Sequence, residues 1–191
     1  MWSVYSGKQH PVLAYRASRT AGFTLLELMI TLAIAALLIG LAAPSFTNMI
    51  KGNQIAAARA SISAGIKGAR GEAVERKQPV SICPSTDQST CGGNWNDGWI
   101  VFVDTDGNGS RGGGTELLID VHYGYGNGVR TGAGGGSAFI NFGANGLKLA
   151  PAGVVTVGIC DQDTSSALEG KAVTVSATGS TSHKGSASAG C

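Results

Sequence analysis

Two clusters in this chain have the residue types and spacing of chemistry. Asp104-Thr105-Asp106-Gly107-Asn108-Gly109 sets two carboxylates and an amide at alternate positions and follows them with glycine, as the first half of a calcium loop does. Such a loop asks for glutamate at its twelfth position, where Thr115 stands, with Glu116 one residue later. Two readings stay open: a calcium site with Asp104, Asp106 and Asn108 as ligands, or a hairpin turn rich in Asp and Gly that needs no cofactor. Gly107 to Gly112 also fits the G-x-G-x-x-G pattern, but more glycines follow it, so no helix terminus is expected to hold a pyrophosphate. The second cluster is cysteine: Cys83, Cys91, Cys160 and Cys191 contain no C-x-x-C pair, which speaks against zinc or thiol-redox work. His10, His122 and His183 are scattered, and no enzyme is expected.

The elements around these clusters follow from composition and its distribution. The chain has 191 residues with 14 Lys+Arg against 12 Asp+Glu, a net charge of +2, so no polybasic nucleic-acid binder is indicated overall. Hydrophobic residues make up 43% and charged ones 14%, which excludes wholesale disorder. Thirty glycines point away from a helical bundle and toward turns between short strands.

Residues 1–22 carry Lys8, Arg16 and Arg19 and no acid. From Phe23 to Ala43 the only charge is Glu27, and Pro44 closes the run. About 20 apolar residues at 1.5 Å each span a bilayer core of roughly 30 Å. A basic flank before such a span should stay cytoplasmic and place the rest on the far side. Residues 44–78 read as a second, amphipathic stretch of helix, with Ile50, Ile55, Ile62, Ile66 and Val74 and alanines 58, 69 and 73 forming one stripe. Pro79 ends it. As one helix, Phe23 to Lys77 would be about 80 Å long, too long for a compact domain of this size, so its first half should be buried in lipid or in other subunits.

Residues 79–191 read as a β domain. Val80–Cys83, Trp99–Asp104, Glu116–Tyr123, Ala138–Phe142, Val154–Cys160 and Ala172–Ala177 are β-branched or aromatic runs separated by turn sequences such as Asn96-Asp97-Gly98 and Ala144-Asn145-Gly146. The expected fold is α+β: a long N-terminal helix whose second half packs on an antiparallel sheet with long Gly-rich loops. In an exported domain four cysteines read as two disulfides, for which three pairings exist. The nearest in sequence, Cys83–Cys91, leaves Cys160–Cys191.

The apolar run has three readings: a secretory signal cut near Ala42-Ala43, an ordinary transmembrane anchor, or a span in which Glu27 has a task. A carboxylate at mid-span costs about 2.5 to 3.5 kcal/mol on insertion scales, which weighs against the first two. Gly22-Phe23-Thr24-Leu25-Leu26-Glu27-Leu28, followed by an apolar span and Pro44, resembles the type III signal of type IV pilins and type II secretion pseudopilins. The resemblance implies that a prepilin peptidase, also the methylase, cuts after Gly22 and leaves an N-methylated Phe23. It implies that Glu27 sets register in assembly, and that the helix bends or melts around Gly40 and Pro44. Physically, glycine lets an unhindered backbone enter a peptidase site. A lone carboxylate in lipid should then seek the new amine of its own chain or of a neighbour. The leader departs from the family's short basic leaders in its length and in carrying Trp2, Tyr5 and Tyr15.

A second resemblance lies further on. Ile82-Cys83-Pro84-Ser85, then Cys91, the run from Trp95 to Asp104 and Asp106-Gly107-Asn108-Gly109 look like the GspH/FimT-type domain of minor pilins and minor pseudopilins. This implies a structural minor pilin that helps start assembly near the tip of a type IV pilus. The alternative is a GspH-like minor pseudopilin of a type II secretion system. Expected partners are the peptidase, other pilins or pseudopilins and the inner-membrane assembly platform. The expected location is the bacterial inner membrane, single-pass, with the C-terminal domain in the periplasm. A further alternative, DNA capture in natural transformation, needs an arginine-bearing motif near the C-terminus. Thr178 to Gly185 has no arginine, and residues 79–191 hold five Lys and Arg against nine acids, so no cation cluster for phosphates is apparent.

Overall fold

The computed structural model describes residues 22–111, 115–126, 128–132, 139–166 and 168–185, without the side chains of residues 41–44. The chain falls into two units that divide between Ala42 and Ala43. Helix α1 (Leu25–Arg76) contributes to both. Gly40 and Pro44, the positions where a bend or melt is expected, both lie within the span of α1.

In the first unit the described residues are the opening turns of α1. Thr24 caps them: its Oγ1 accepts the Glu27 N–H at 3.2 Å, and its carbonyl accepts the Leu28 N–H at 3.1 Å. Every large apolar side chain from Phe23 to Ile39 is exposed. Among the described residues α1 is the one helix long and apolar enough to cross a membrane, and none of its most apolar stretch is buried.

Among the described residues the second unit holds the rest of α1 and nine strands: β1 (Val80–Pro84), β2 (Gly98–Val103), β3 (Leu118–Tyr123), β4 (Val129–Gly132), β5 (Ile140–Phe142), β6 (Lys148–Ala150), β7 (Val155–Asp161), β8 (Lys171–Val175) and β9 (Thr181–Lys184). They form two sheets rather than one, in the orders β3-β2-β1-β5-β6 and β4-β7-β8-β9, with every pairing antiparallel.

One face of α1 buries Ile55, Ala58, Ile62, Ile66, Ala69 and Ala73, which are at most 1% exposed. Their spacings of three and four residues keep them within one stripe. The expected stripe also included Ile50 and Val74, which are 44% and 49% exposed. At 100° per residue Val74 points well away from Ala73, and Ile50, five residues before Ile55, lies about 140° round the helix from it. The stripe packs against Val80, Ile82, Trp99, Val101, Ile140 and Phe142 of the first sheet and Val155, Val157, Ile159, Val173 and Val175 of the second.

The five-stranded sheet is covered on both faces. Side chains alternate along a strand, so while Ile82 and Val101 face α1, Cys83, Ile100 and Phe102 form a separate apolar cluster with Cys91, Leu118, Val121 and Phe139. This explains why β1 and β2 are buried at every residue. Helix α1 ends at Arg76, and Lys77 follows in the left-handed region at φ 54°, the conformation common just past a helix C-terminus.

Candidate functional site

The opening of α1 carries the first candidate. Thr24-x-x-Glu27 has the spacing of a capping box, with Glu27 in the first turn, where the helix dipole favours a negative group. Glu27 is exposed and is surrounded in sequence by exposed leucines, so its carboxylate stands on an apolar surface. Thr24, which holds the Glu27 N–H, was legible only as part of that spacing.

The loop between β1 and β2 is tied by the Cys83–Cys91 disulfide, with Cα atoms 5.6 Å apart. Asp87 organises the loop from within. Its Oδ1 accepts the Ser85 hydroxyl and the Ser89 and Thr90 N–H groups, and its Oδ2 accepts the Thr90 hydroxyl. Those donors, led by the Thr90 hydroxyl, hold the Asp87 carboxyl well below the usual carboxylate range. Cys160 is also disulfide-bonded; the partner expected for it, Cys191, lies outside the described residues.

The loop from β2 to β3 brings three acids together. One carboxylate oxygen each of Asp104, Asp106 and Glu116 lies within 4.8 Å of the others. Asp104 is fully buried, and its Oδ2 accepts the Ser81 hydroxyl at 2.6 Å, the Asn141 side-chain N–H at 2.8 Å and the Gly109 N–H at 3.0 Å. Ser81 and Asn141 alternate with residues that face α1, so this polar group lies on the far face of the sheet. Glu116 Oε1 accepts the Thr105 N–H at 3.2 Å and closes the loop. Burial, with the charges of Asp104 and Asp106 nearby, pushes the Glu116 carboxyl above its ordinary value. Asn108 lies beside the group: its Nδ2 donates to Asp106 Oδ2 at 2.6 Å, and its Oδ1 accepts the Ser110 N–H. The sequence pattern points to Asn108 as the third oxygen ligand; the structure adds a third carboxylate, Glu116, to the group.

The histidines are structural contacts with α1. His122 Nε2 lies 2.7 Å from Ser61 Oγ, and its ring stacks on Trp99 at 4.9 Å between centroids. His183 Nε2 lies 3.2 Å from Ser63 Oγ. Burial, with Arg59 and Lys67 nearby, pushes the His183 imidazole below its ordinary value. His10 lies outside the described residues.

Residues 58–179, most of the second unit, match the family described as Type II transport protein GspH. The chain belongs to the GspH family. Residues 17–43 match a second description, the prokaryotic N-terminal methylation motif, and this stretch contains Gly22, Phe23 and Glu27. No protein of curated function matches the sequence. Among solved structures, the chain resembles the type IV minor pilin FimU of Pseudomonas aeruginosa in two crystal forms. In one, identity is 22% over 71% of this chain and 91% of that chain, with a TM-score of 0.55. In the other, identity is 21% over 69% and 93%, with a TM-score of 0.52. A more distant likeness is to the minor pseudopilin EpsH from the Vibrio cholerae Type 2 Secretion System, at 11% identity over 69% and 97% and a TM-score of 0.45.

As a GspH-family protein the chain is a minor pilin or minor pseudopilin, a structural subunit of a family whose members are not enzymes. The methylation motif marks it as a substrate of prepilin peptidase, with other pilin-like chains as partners. The family match covers α1 from Ala58 and every strand through β8, so it includes the Cys83–Cys91 loop and the Asp104 cluster. The helix contacts of His122 and His183 were not legible in sequence, since serines 61 and 63 carry no signal of which strand lies opposite.

Proposed function

We propose that this GspH-family chain is a minor pilin of a type IV pilus that acts in filament initiation near the tip. In this reading residues 1–22 are a leader removed by prepilin peptidase between Gly22 and Phe23, and Phe23 becomes the N-methylated terminus. Residues 23–43 span the bacterial inner membrane before assembly and enter the filament core after it. Residues 44–78 form the amphipathic half of the helix, and residues 79–191 the periplasmic β domain. The observation that carries the proposal is an exposed apolar helix opening whose sole acid, Glu27, stands in the first turn. Such a surface stays out of water only in lipid or among other helices, and Glu27 is neutralised there by the amine of a neighbouring chain. The short Cys83–Cys91 loop and the Trp95–Asp104 run favour the pilus.

The second reading is a minor pseudopilin, and the description of the matched family as a type II transport protein favours it. Mass spectrometry of membrane-extracted protein tests the processing. The expected terminus is N-methylated Phe23, and a chain that starts near Ser45 or keeps Met1 sinks both readings. A deletion strain separates them: lost piliation or surface motility supports the pilus, and lost exoenzyme export supports the secretion system.

A further inference from the structure

We propose that Asp104, Asp106 and Glu116 bind a calcium ion that clasps the loop between β2 and β3 to the far face of the five-stranded sheet. The donor set is all oxygen, which suits a hard divalent cation and excludes the soft metals that thiolates select. One oxygen from each carboxylate lies within 4.8 Å of the other two. Two ligands of one calcium, each 2.3 to 2.6 Å from the ion, can be no more than about 5 Å apart, so the three oxygens can share an ion.

A second observation points to a ligand independently of that grouping. Asp104 is fully buried, yet its Oδ1 has no hydrogen-bond partner. All three donors that reach this carboxylate converge on Oδ2. A buried carboxylate oxygen left bare is costly, and native proteins rarely leave one so. A cation among the three carboxylates supplies the missing partner.

The charge arrangement agrees. Among the described residues no Lys or Arg forms an ion pair with any of the three acids. Arg111, whose charge is felt at Glu116, makes its hydrogen bonds to carbonyls: its Nε donates to the Glu116 backbone oxygen at 3.0 Å and its Nη1 to the Ser89 oxygen at 2.6 Å. Three carboxylates this close repel one another, and Asp104 is held in place by Ser81, Asn141 and Gly109, so it cannot turn away. Calcium is preferred to magnesium because a loop with one rigid and two adjustable carboxylates suits a cation of flexible geometry. Magnesium demands a near-ideal octahedron and sheds its waters reluctantly.

The test uses the full chain in detergent, stripped with EDTA and titrated with calcium chloride by calorimetry, with thermal melting alongside. Binding is expected with a dissociation constant of about 10⁻⁴ to 10⁻³ M, the range of extracellular calcium modules. The melting temperature should rise by roughly 3 to 10 °C at about 10 mM calcium. Glu116→Gln and Asp106→Asn each remove one ligand charge and should weaken binding by roughly 10-fold or more. Both side chains lie outside the buried core, and melting in EDTA reports whether each variant is folded. Asp120→Asn, away from the cluster, should bind as the unaltered chain does. Absence of heat and of a melting shift at 10 mM calcium, or unchanged affinity in both folded variants, overturns the site. Tighter binding of magnesium or manganese than of calcium overturns the choice of ion.

Discussion

Lys51 Nζ, on α1, lies 3.0 Å from Asp161 Oδ2, at the end of β7, and 3.7 Å from Asp163 Oδ2. The Asp161 side chain is only 4% exposed, so this lysine neutralises a carboxylate that the sheet has taken out of water. Burial alone would raise the Asp161 carboxyl, but the Ser166 hydroxyl, the Asp163 N–H and Lys51 outweigh it and hold it below its ordinary value. Pairing with Asp161 raises the Lys51 ammonium.

The two shifts fix the sign of the pH dependence. Asp161 has a lower value folded than unfolded, so its contribution is complete above the unfolded carboxylate value of about 4 and is lost as pH falls through the folded one. Lys51 has a higher value folded, so its contribution is complete below about pH 10.4 and is lost as pH rises through the folded value. Lys51→Met should therefore lower the urea midpoint at neutral pH while leaving the slope of the unfolding curve unchanged. It should also flatten the decline of stability below pH 4. Equal acid profiles for the variant and the unaltered chain would remove the pair from the account of stability.

Gly65 and Gly71 lie on the same helix, and replacing them should have opposite effects. A Cβ on Gly65 would stand 2.6 Å from the Trp99 ring, whereas one on Gly71 meets nothing within 4 Å. Alanine in an open helix position is worth roughly 0.5 to 1 kcal/mol over glycine, so Gly71→Ala should stabilise by about that amount. Gly65→Ala gains the same propensity but must displace an indole stacked on His122. Overpacking of this kind costs about 1 to 3 kcal/mol, so a net loss is expected. Urea denaturation of both variants measures the contrast, and a stabilised Gly65→Ala would show that the Trp99 packing yields.

Most of the strands legible in sequence are inner strands, and the strands that were not legible are all at sheet edges. Val80–Cys83, Trp99–Asp104, Ala138–Phe142, Val154–Cys160 and Ala172–Ala177 lie within two residues of β1, β2, β5, β7 and β8, the inner strands, which are rich in apolar residues; Glu116–Tyr123 matches β3 to the same margin, an edge strand whose Leu118, Ile119 and Val121 made it legible. Those without a sequence signal, β4, β6 and β9, are all edge strands of three or four residues, such as Thr181-Ser182-His183-Lys184. An edge strand pairs on one side only and needs little apolar character, so neither alternation nor β-branching marks it. The division into two sheets was hidden for a related reason. Both sheets present the same kind of residue to one helical stripe, and the apolar pattern records burial without recording which neighbour does the burying.

The Cys83–Cys91 bridge spans eight residues of sequence and pins the loop after β1. By chain entropy, closing a loop of this length is worth about 2.5 kcal/mol. Paired replacement of Cys83 and Cys91 by serine should lower stability by roughly that amount in denaturant unfolding. The Asp87 hydrogen bonds keep part of the loop's shape, so the β1–β2 pairing should survive, and circular dichroism should show the strand content retained. Loss of the folded β domain in the double variant would mean that the bridge is required for folding.

At the start of α1, where assembly is proposed to be set, Glu27 stands out in the sequence and Thr24 does not, and the two can be separated by mutation. Thr24 Oγ1 accepts the Glu27 backbone N–H, an interaction that survives any change of the Glu27 side chain. Thr24→Ala should therefore cost only the cap, about 0.5 to 2 kcal/mol at the start of α1, and leave assembly near normal. Glu27→Gln keeps the cap and the side-chain volume but removes the charge that would meet a neighbour's amine. It should be cut to Phe23 as before and yet fail to enter filaments. The readouts are the processed terminus by mass spectrometry and incorporation by crosslinking to neighbouring pilin-like subunits. If Glu27→Gln crosslinks at the level of the unaltered chain, charge pairing is not what sets register, and the burial of apolar helix surface must do so alone.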